Sequence, residues 1–336
     1  MKKILALVLA LLLTLSLLTA CGGGGKKSDK VVIGAAFTGV DLGFWGAVWS
    51  GVEDAVNDKG VEVIQLVAEG DANKQNDQIR SLIAQKVDAI IIAPVDGSVV
   101  VSAVKEAQAA GIPVVMVNRP LQSDEVVAEM SVLSDNYTMA YDQLVWLAEK
   151  ARTEGRTYNI LLLIGGLSDE NAVLRREGHY KAIDENSDVL KLIVDVPTDW
   201  KSELALQGVQ NSMQAYDNID CIVTPADGFV VPIQSALEQI NRWVLVGQPG
   251  HVTICSFDGD SRAMALYDSG HITCTAVQDA YGQGVKSVNY AIDLVNGKTF
   301  SDKIDLDPGI QLSYENFEEL KPTLWGWAVY LDVKDQ

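Results

Sequence analysis

Behind its short apolar runs, this sequence repeatedly places groups that can hydrogen-bond or stack. The stretch AFTGVDLGFW (36–45) carries Asp41, Phe44 and Trp45, and VVMVNRP (114–120) ends on Asn118, Arg119 and a proline. Further along, GGLSDEN (165–171) supplies Asp169, Glu170 and Asn171, and PTDW (197–200) supplies Trp200. SFDGD (256–260) adds Asp258, and TAVQDAYGQG (275–284) adds Gln278. One phrase is written nearly twice, as VDAIIIAPVDG (87–97) and IDCIVTPADG (219–228), and brings in Asp96 and Asp227. Carboxylates accept hydrogen bonds from hydroxyls, whereas Arg, Asn and Gln can donate. Aromatic faces suit the apolar C–H face of a sugar ring. Together these groups suit a polyhydroxylated ligand. A plainer use stays open for Asp96 and Asp227, as caps of the turn or helix that follows. Taken singly, Phe44 and Trp45 suit a core and Arg119 a surface ion pair. Their shared position behind strands joins them into one candidate site.

The elements that must position these groups alternate in type. Apolar strand-like runs occur at 31–37, 61–68, 88–93 and 112–117. Between them lie stretches of helical spacing at 43–58, 74–85 and 99–110; in the first, Phe44, Val48, Gly51, Val52, Ala55 and Val56 share a face. AAGIP (109–113) reads as a helix stop followed by a strand start. A run as apolar as AIIIA (89–93) suits a parallel sheet covered on both faces. The pattern restarts with runs at 158–164, 190–196, 220–224, 252–257 and 272–277. The chain therefore predicts an α/β protein of two similarly built halves. The duplicated phrase marks equivalent strand ends, where open parallel sheets gather ligands. Two such edges facing each other would form a cleft.

Composition narrows the partners. The chain has 336 residues, enough for two separate cores, and an apolar share of 48% that argues against disorder. A formal charge of −19 argues against nucleic acid, because phosphates select for Lys and Arg. Lys2 and Lys3 precede the apolar run ILALVLALLLTLSLL (4–18) and the small residues Thr19 and Ala20. Residues 1–20 thus read as a secretory signal, the run being shorter than the roughly 20 residues that a crossing helix needs. GGGGKKSDK (22–30) reads as a flexible tether. Cys221, Cys255 and Cys274 sit in apolar runs and suit buried small hydrophobes rather than a disulfide framework or metal site. His179, His251 and His271 are scattered, so neither a metal nor a cofactor is expected.

The sequence resembles the type I periplasmic binding proteins of sugar ABC importers, the ribose-, xylose- and galactose-binding group. The resemblance runs from about residue 31 to 312 and rests on GFW (43–45), APVDG, GIPVVMVNRP, LSDN (133–136), FDGD and TAVQDAYGQG. LTAC (18–21) resembles a bacterial lipobox, which implies that Cys21 is lipidated and anchors the protein outside the cytoplasmic membrane of a Gram-positive bacterium. The resemblance implies two doubly wound parallel-sheet lobes joined by a three-segment hinge, with crossings near 134, 279 and 311. The first lobe would hold 31–134 and 279–311, and the second 135–278 and 312–336. It implies that Phe44 and Trp45 sandwich a sugar beside Asp41, with Asn118, Arg119, Asp169, Asn171, Trp200, Asp258 and Gln278 around it. The sequence departs from the family pattern at Leu42, Ala93 and Ala226, where polar residues are common, and Asn118 replaces a carboxylate. These changes suggest a less polar or bulkier ligand than ribose. The expected role is binding of a monosaccharide and delivery to an ABC permease, by a monomer without catalytic activity. A sensory receptor would share the fold. A sugar hydrolase is the other rival, although no nucleophile elbow, phosphate loop or metal cluster supports one.

Overall fold

The computed structural model describes residues 30–40 and 43–334. The signal segment, Cys21, most of the tether and the pair Asp41 and Leu42 lie outside the described residues. The first sheet contains β1 (Val32–Phe37), β2 (Glu62–Val67), β3 (Ala89–Ala93), β4 (Val114–Asn118), β5 (Met130–Ser134) and β11 (Ile304–Asp307). Its order is β11-β5-β4-β3-β1-β2, and every pairing is parallel. The second contains β6 (Tyr158–Ile164), β7 (Leu190–Pro197), β8 (Cys221–Val223), β9 (Thr253–Asp258), β10 (Cys274–Val277) and β12 (Ile310–Ser313), in the order β12-β10-β9-β8-β6-β7. The two orders coincide strand for strand, so β4 and β9 are topological equivalents, as are β3 and β8.

The one departure from an all-parallel pattern is β12, which runs antiparallel to β10. Its route explains this. β10 leaves the second sheet at Val277, and β12 comes back from the first sheet beside that exit, with Ile310 opposite Val277. The short link 308–309 from β11 brings the chain in beside the exit of β10, so β12 runs back along it.

The helices follow from their apolar faces. In α1 (Phe44–Lys59), Ala47, Val48, Val52, Ala55 and Val56 are buried, and Gly60 ends the helix with φ 64°. Asp71 caps α2 (Ala72–Gln85) by accepting from the amides of Asn73 and Lys74. With α3 (Val101–Ala109), α2 covers one face of the first sheet. On the other face α1 packs against α9 (Ala280–Val295), a helix from much later in the chain. The two backbones nearly touch: a Cβ on Gly51 would lie 2.1 Å from the Tyr281 carbonyl oxygen, and one on Gly284 would lie 2.0 Å from that of Val48. The second sheet repeats the scheme. α4 (Asn136–Glu154) packs on α5 (Glu170–Glu185), and Gly178 of α5 allows a similar approach to Tyr137. α6 (Ser202–Ala215), α7 (Val230–Gln239), α8 (Ser261–Asp268) and the terminal α11 (Trp325–Val333) cover its opposite face, with the short α10 (Phe317–Leu320) beside them. Cys221, Cys255 and Cys274 are free and fully buried in the second core.

The chain passes between the sheets after β5, after β10 and after β11. Asp307 ties the three passages together. Its backbone carbonyl accepts from Asp135 N (2.9 Å), and its carboxylate accepts from Asp279 N (2.8 Å) and Gly309 N (3.0 Å).

Candidate binding site

The strand ends of the two sheets face one another around a cavity of about 660 Å³. Phe44, Trp45, Asn118, Arg119, Asp169, Asn171, Trp200, Asp258 and Gln278 all line it. Asp41 lies outside the described residues. The other two sequence candidates are not on its wall, and both correct the sequence reading. Asp96 caps the turn into α3, its Oδ1 accepting from Ser98 N at 2.8 Å and Val99 N at 3.1 Å. Asp227 is fully buried and accepts from Ser256 Oγ, Gly259 N (2.6 Å), Asp260 N (2.7 Å) and Thr275 Oγ1 (3.1 Å). Burial, with Asp260 and Asp258 nearby, holds its carboxyl well above the usual range. The repeated phrase thus marks equivalent strand ends, while Asp96 caps its own turn and Asp227 ties together β9, the turn after it and β10. Of the substituted positions, Ala226 lines the cavity and Ala93 is buried in β3.

Arg119 is held in place from its own side. Its Nη1 donates to the carbonyls of Pro94 (3.1 Å) and Val95 (3.2 Å), and its guanidinium lies 5.4 Å from the centroid of Trp45. Its Nη2 makes an ion contact of 2.8 Å with Asp169 Oδ2 from the other sheet. That contact is an ion pair without an aligned hydrogen bond, and the buried Arg119 Nε likewise has no hydrogen-bond partner. The Trp200 indole nitrogen is another such atom. Trp200 lies against Gly165 and Gly166, where a Cβ on Gly165 would come within 2.4 Å of the ring. From the first sheet, Phe44 meets Trp45 edge-on at 5.4 Å and Trp325 at 6.4 Å. Beside it, a Cβ on Gly43 (φ 119°) would lie 2.6 Å from Arg262 Nη2.

Backbone strain concentrates here. Asn118 (φ 63°), Asp199 (φ 50°), Trp200 (φ 57°) and Asp258 (φ 110°) all adopt left-handed or positive φ, and all line the cavity. Asn118 and Asp258 end the equivalent strands β4 and β9.

Sequence reading missed Arg175. It is buried on α5, one turn beyond Asn171 and on the same face, and it lines the cavity. Its Nε donates to Asn136 Oδ1 at 2.7 Å, its Nη1 reaches Pro225 O at 2.5 Å and Asp258 Oδ1 at 3.3 Å, and its guanidinium lies 3.8 Å from the centre of Phe257. Burial pushes the Asp258 carboxyl up to about 6, against the opposing pull of Arg175. Arg262 and the pair Asp199–Lys201 were missed as well. Arg262 bonds Asp260 through Nε at 2.8 Å, and Lys201 Nζ lies 2.7 Å from Asp199 Oδ2. Every charged side chain on the wall therefore has an opposite charge beside it. Among the described residues no cluster of His, Cys, Asp or Glu could hold a metal ion.

A family model described as periplasmic binding protein domain matches residues 33–299. The chain belongs to that family. Among curated members of this kind, the ribose import binding protein RbsB of Bacillus subtilis is 27% identical over 309 residues, covering 89% of this chain and 95% of the relative. A D-apiose import binding protein of Actinobacillus succinogenes is 25% identical over 295 residues, 87% of this chain and 91% of the relative. Among solved structures, an ABC transporter solute binding protein of Bacillus halodurans with bound myo-inositol aligns with a TM-score of 0.77 and 26% identity, over 88% of this chain and 98% of that one. The periplasmic binding protein architecture agrees with the two α/β lobes described above. No helix among the described residues is long and apolar enough to cross a membrane.

Proposed function

We propose that this protein captures a neutral monosaccharide or related polyol between its two lobes, outside the cytoplasmic membrane, and presents it to an ABC import permease. The observation that carries this reading is the cavity wall. Donors and acceptors from both lobes face it beside aromatic side chains. Desolvated donors and acceptors need partners, and the hydroxyls of a polyhydroxylated ligand supply them. The pairing of every wall charge with its opposite supports an uncharged ligand. The relatives' printed ligands, among them ribose, D-apiose and myo-inositol, belong to this chemical class. Ala226 on the cavity wall, where relatives often carry a polar group, favours a bulkier or less polar member than ribose. On the same reading the protein is a monomer, binds without catalysis, and is held at the membrane by lipid on Cys21.

Thermal unfolding against a panel of pentoses, hexoses and inositols tests the reading. A ligand at a hundred times its dissociation constant should add about 2.7 kcal/mol of stability. No shift with any panel member, with a clear shift from an unrelated ligand class such as amino acids, would overturn it.

A further inference from the structure

We propose that Asn118 is the latch that ties the lobes across the cavity, and that it must be an amide because Asp258, its topological equivalent in the other lobe, is a carboxylate. The proposal rests on the two-lobe binding reading above. Its basis is a chain of hydrogen bonds with a fixed direction. An ionised carboxylate only accepts. Asp258 Oδ1 therefore accepts a hydrogen bond from Gln278 Nε2, at 2.7 Å. That leaves Gln278 Oε1 facing the first lobe, where Asn118 Nδ2 donates to it at 3.1 Å. Asn118 Oδ1 must then accept, and it does so from Asn171 Nδ2 at 2.9 Å, back in the second lobe. The second proton of Asn118 Nδ2 goes to Gln283 Oε1 at 3.2 Å, and Gln283 Nε2 donates to Ser134 Oγ at 2.7 Å.

Two consequences follow from this direction. Asn118 is 3% exposed, and both its amide atoms are used within the protein, so it holds the lobes rather than the ligand. A carboxylate at 118 would confront the carbonyl oxygens of Gln278 and Gln283. Gln278 could turn over to donate to it only by aiming its own oxygen at Asp258. Carboxylates at both 118 and 258 are incompatible with the bridge, whereas one carboxylate at either place is compatible.

A charge swap between the equivalent positions tests this. Nitroxide labels on cysteines introduced at the exposed Ser102 and Asp184, in a Cys21→Ser background, report the distance between lobes without added ligand. Asn118→Asp should reduce the short-distance population at least fivefold. Asp258→Asn alone should retain it among folded molecules, because an amide oxygen still accepts from Gln278 and Arg175, although the unpaired Arg175 charge lowers its overall stability. The double variant Asn118→Asp/Asp258→Asn should recover at least half of the loss, the chain now running in the opposite direction with the oxygen of the introduced amide left to Arg175 Nη1. Should Asn118→Asp fail to fold, Asn171→Asp opposes the chain from its far end and should be rescued by the same Asp258→Asn. An unchanged distance in Asn118→Asp, or a double variant no shorter than that single variant, overturns the proposal. The readout needs no ligand, so a failed ligand screen and a failed latch are separate results.

Discussion

At the scale of single residues, Asp258 carries the sharpest consequence. Its carboxyl titrates near 6 because burial disfavours the charged form. A ligand hydroxyl that donates to it prefers the ionised form, so binding should be strongest above pH 6. Affinity should weaken as pH falls through that value, approaching about tenfold per pH unit below it. Titration calorimetry at pH 7.5 and 5 checks this, and Asp258→Asn should flatten the dependence; equal affinities at the two pH values would reject it. Arg175 is the partner of Asp258 in the interior. Arg175→Leu leaves a buried charge unpaired, a loss of about 3–5 kcal/mol. Without Arg175 the Asp258 carboxyl moves higher still. Its protonated form is the one the folded state tolerates, so the loss should be smaller at pH 5 than at pH 8 in urea unfolding. These two residues also show what sequence could and could not reveal. Asp258 was legible because it ends a recognisable strand. Arg175 stands beside Arg176 in an acidic, polar helix, and only the phase of α5 decides that Arg175 turns inward while Arg176 lies over Tyr180. Asp96 and Asp227 looked alike and do different local work, because one turn is exposed and the other is enclosed by β9 and β10.

At the scale of elements, nearly every strand with a continuous apolar run was legible to within two residues, and so were the three helices between the first strands, at 43–58, 74–85 and 99–110. The strands that escaped were β5, β11 and β12. β11 reads Ile-Asp-Leu-Asp and sits at a sheet edge with Ile304 and Leu306 exposed, so it lacks the two-sided apolar signature of its neighbours. β12 is equally short and borders only β10. The antiparallel course of β12 was invisible for a different reason: it depends on where the chain returns from, which no local pattern encodes. Close helix contact makes its own prediction. Gly284→Ala puts a methyl group 2.0 Å from the Val48 carbonyl oxygen, a backbone atom that can yield only if α1 and α9 separate. Overpacking of this kind costs about 1–3 kcal/mol. A drop in melting temperature of several degrees is expected, whereas Gly297→Ala, with open space around it but φ 82°, should show only the cost of its backbone. Equal melting of Gly284→Ala and the parent protein would reject the close-packing account.

At the scale of the whole molecule, the anchor reading predicts that Cys21→Ser releases the protein into the medium or leaves it unprocessed. Metabolic labelling with a fatty acid checks this, and undiminished labelling of the variant would end it. The tertiary plan carries a further consequence, through the order in which the chain is made. The first sheet is completed only by β11, and the helix α9 that covers β3 and β4 comes only after the whole body of the second lobe. The second sheet in turn waits for β12. Neither half can therefore finish folding while the chain is still emerging; both become whole when residues 280–313 arrive. Non-local closure of this kind slows folding. A chain ending at Asp279 should lack protease resistance in both halves, and a stable fragment spanning 31–134 would contradict that. For a protein that must be threaded through a membrane, late completion is an advantage. On the export reading of residues 1–20, slow non-local closure gives the chain time to pass before residues 280–313 let both lobes set together.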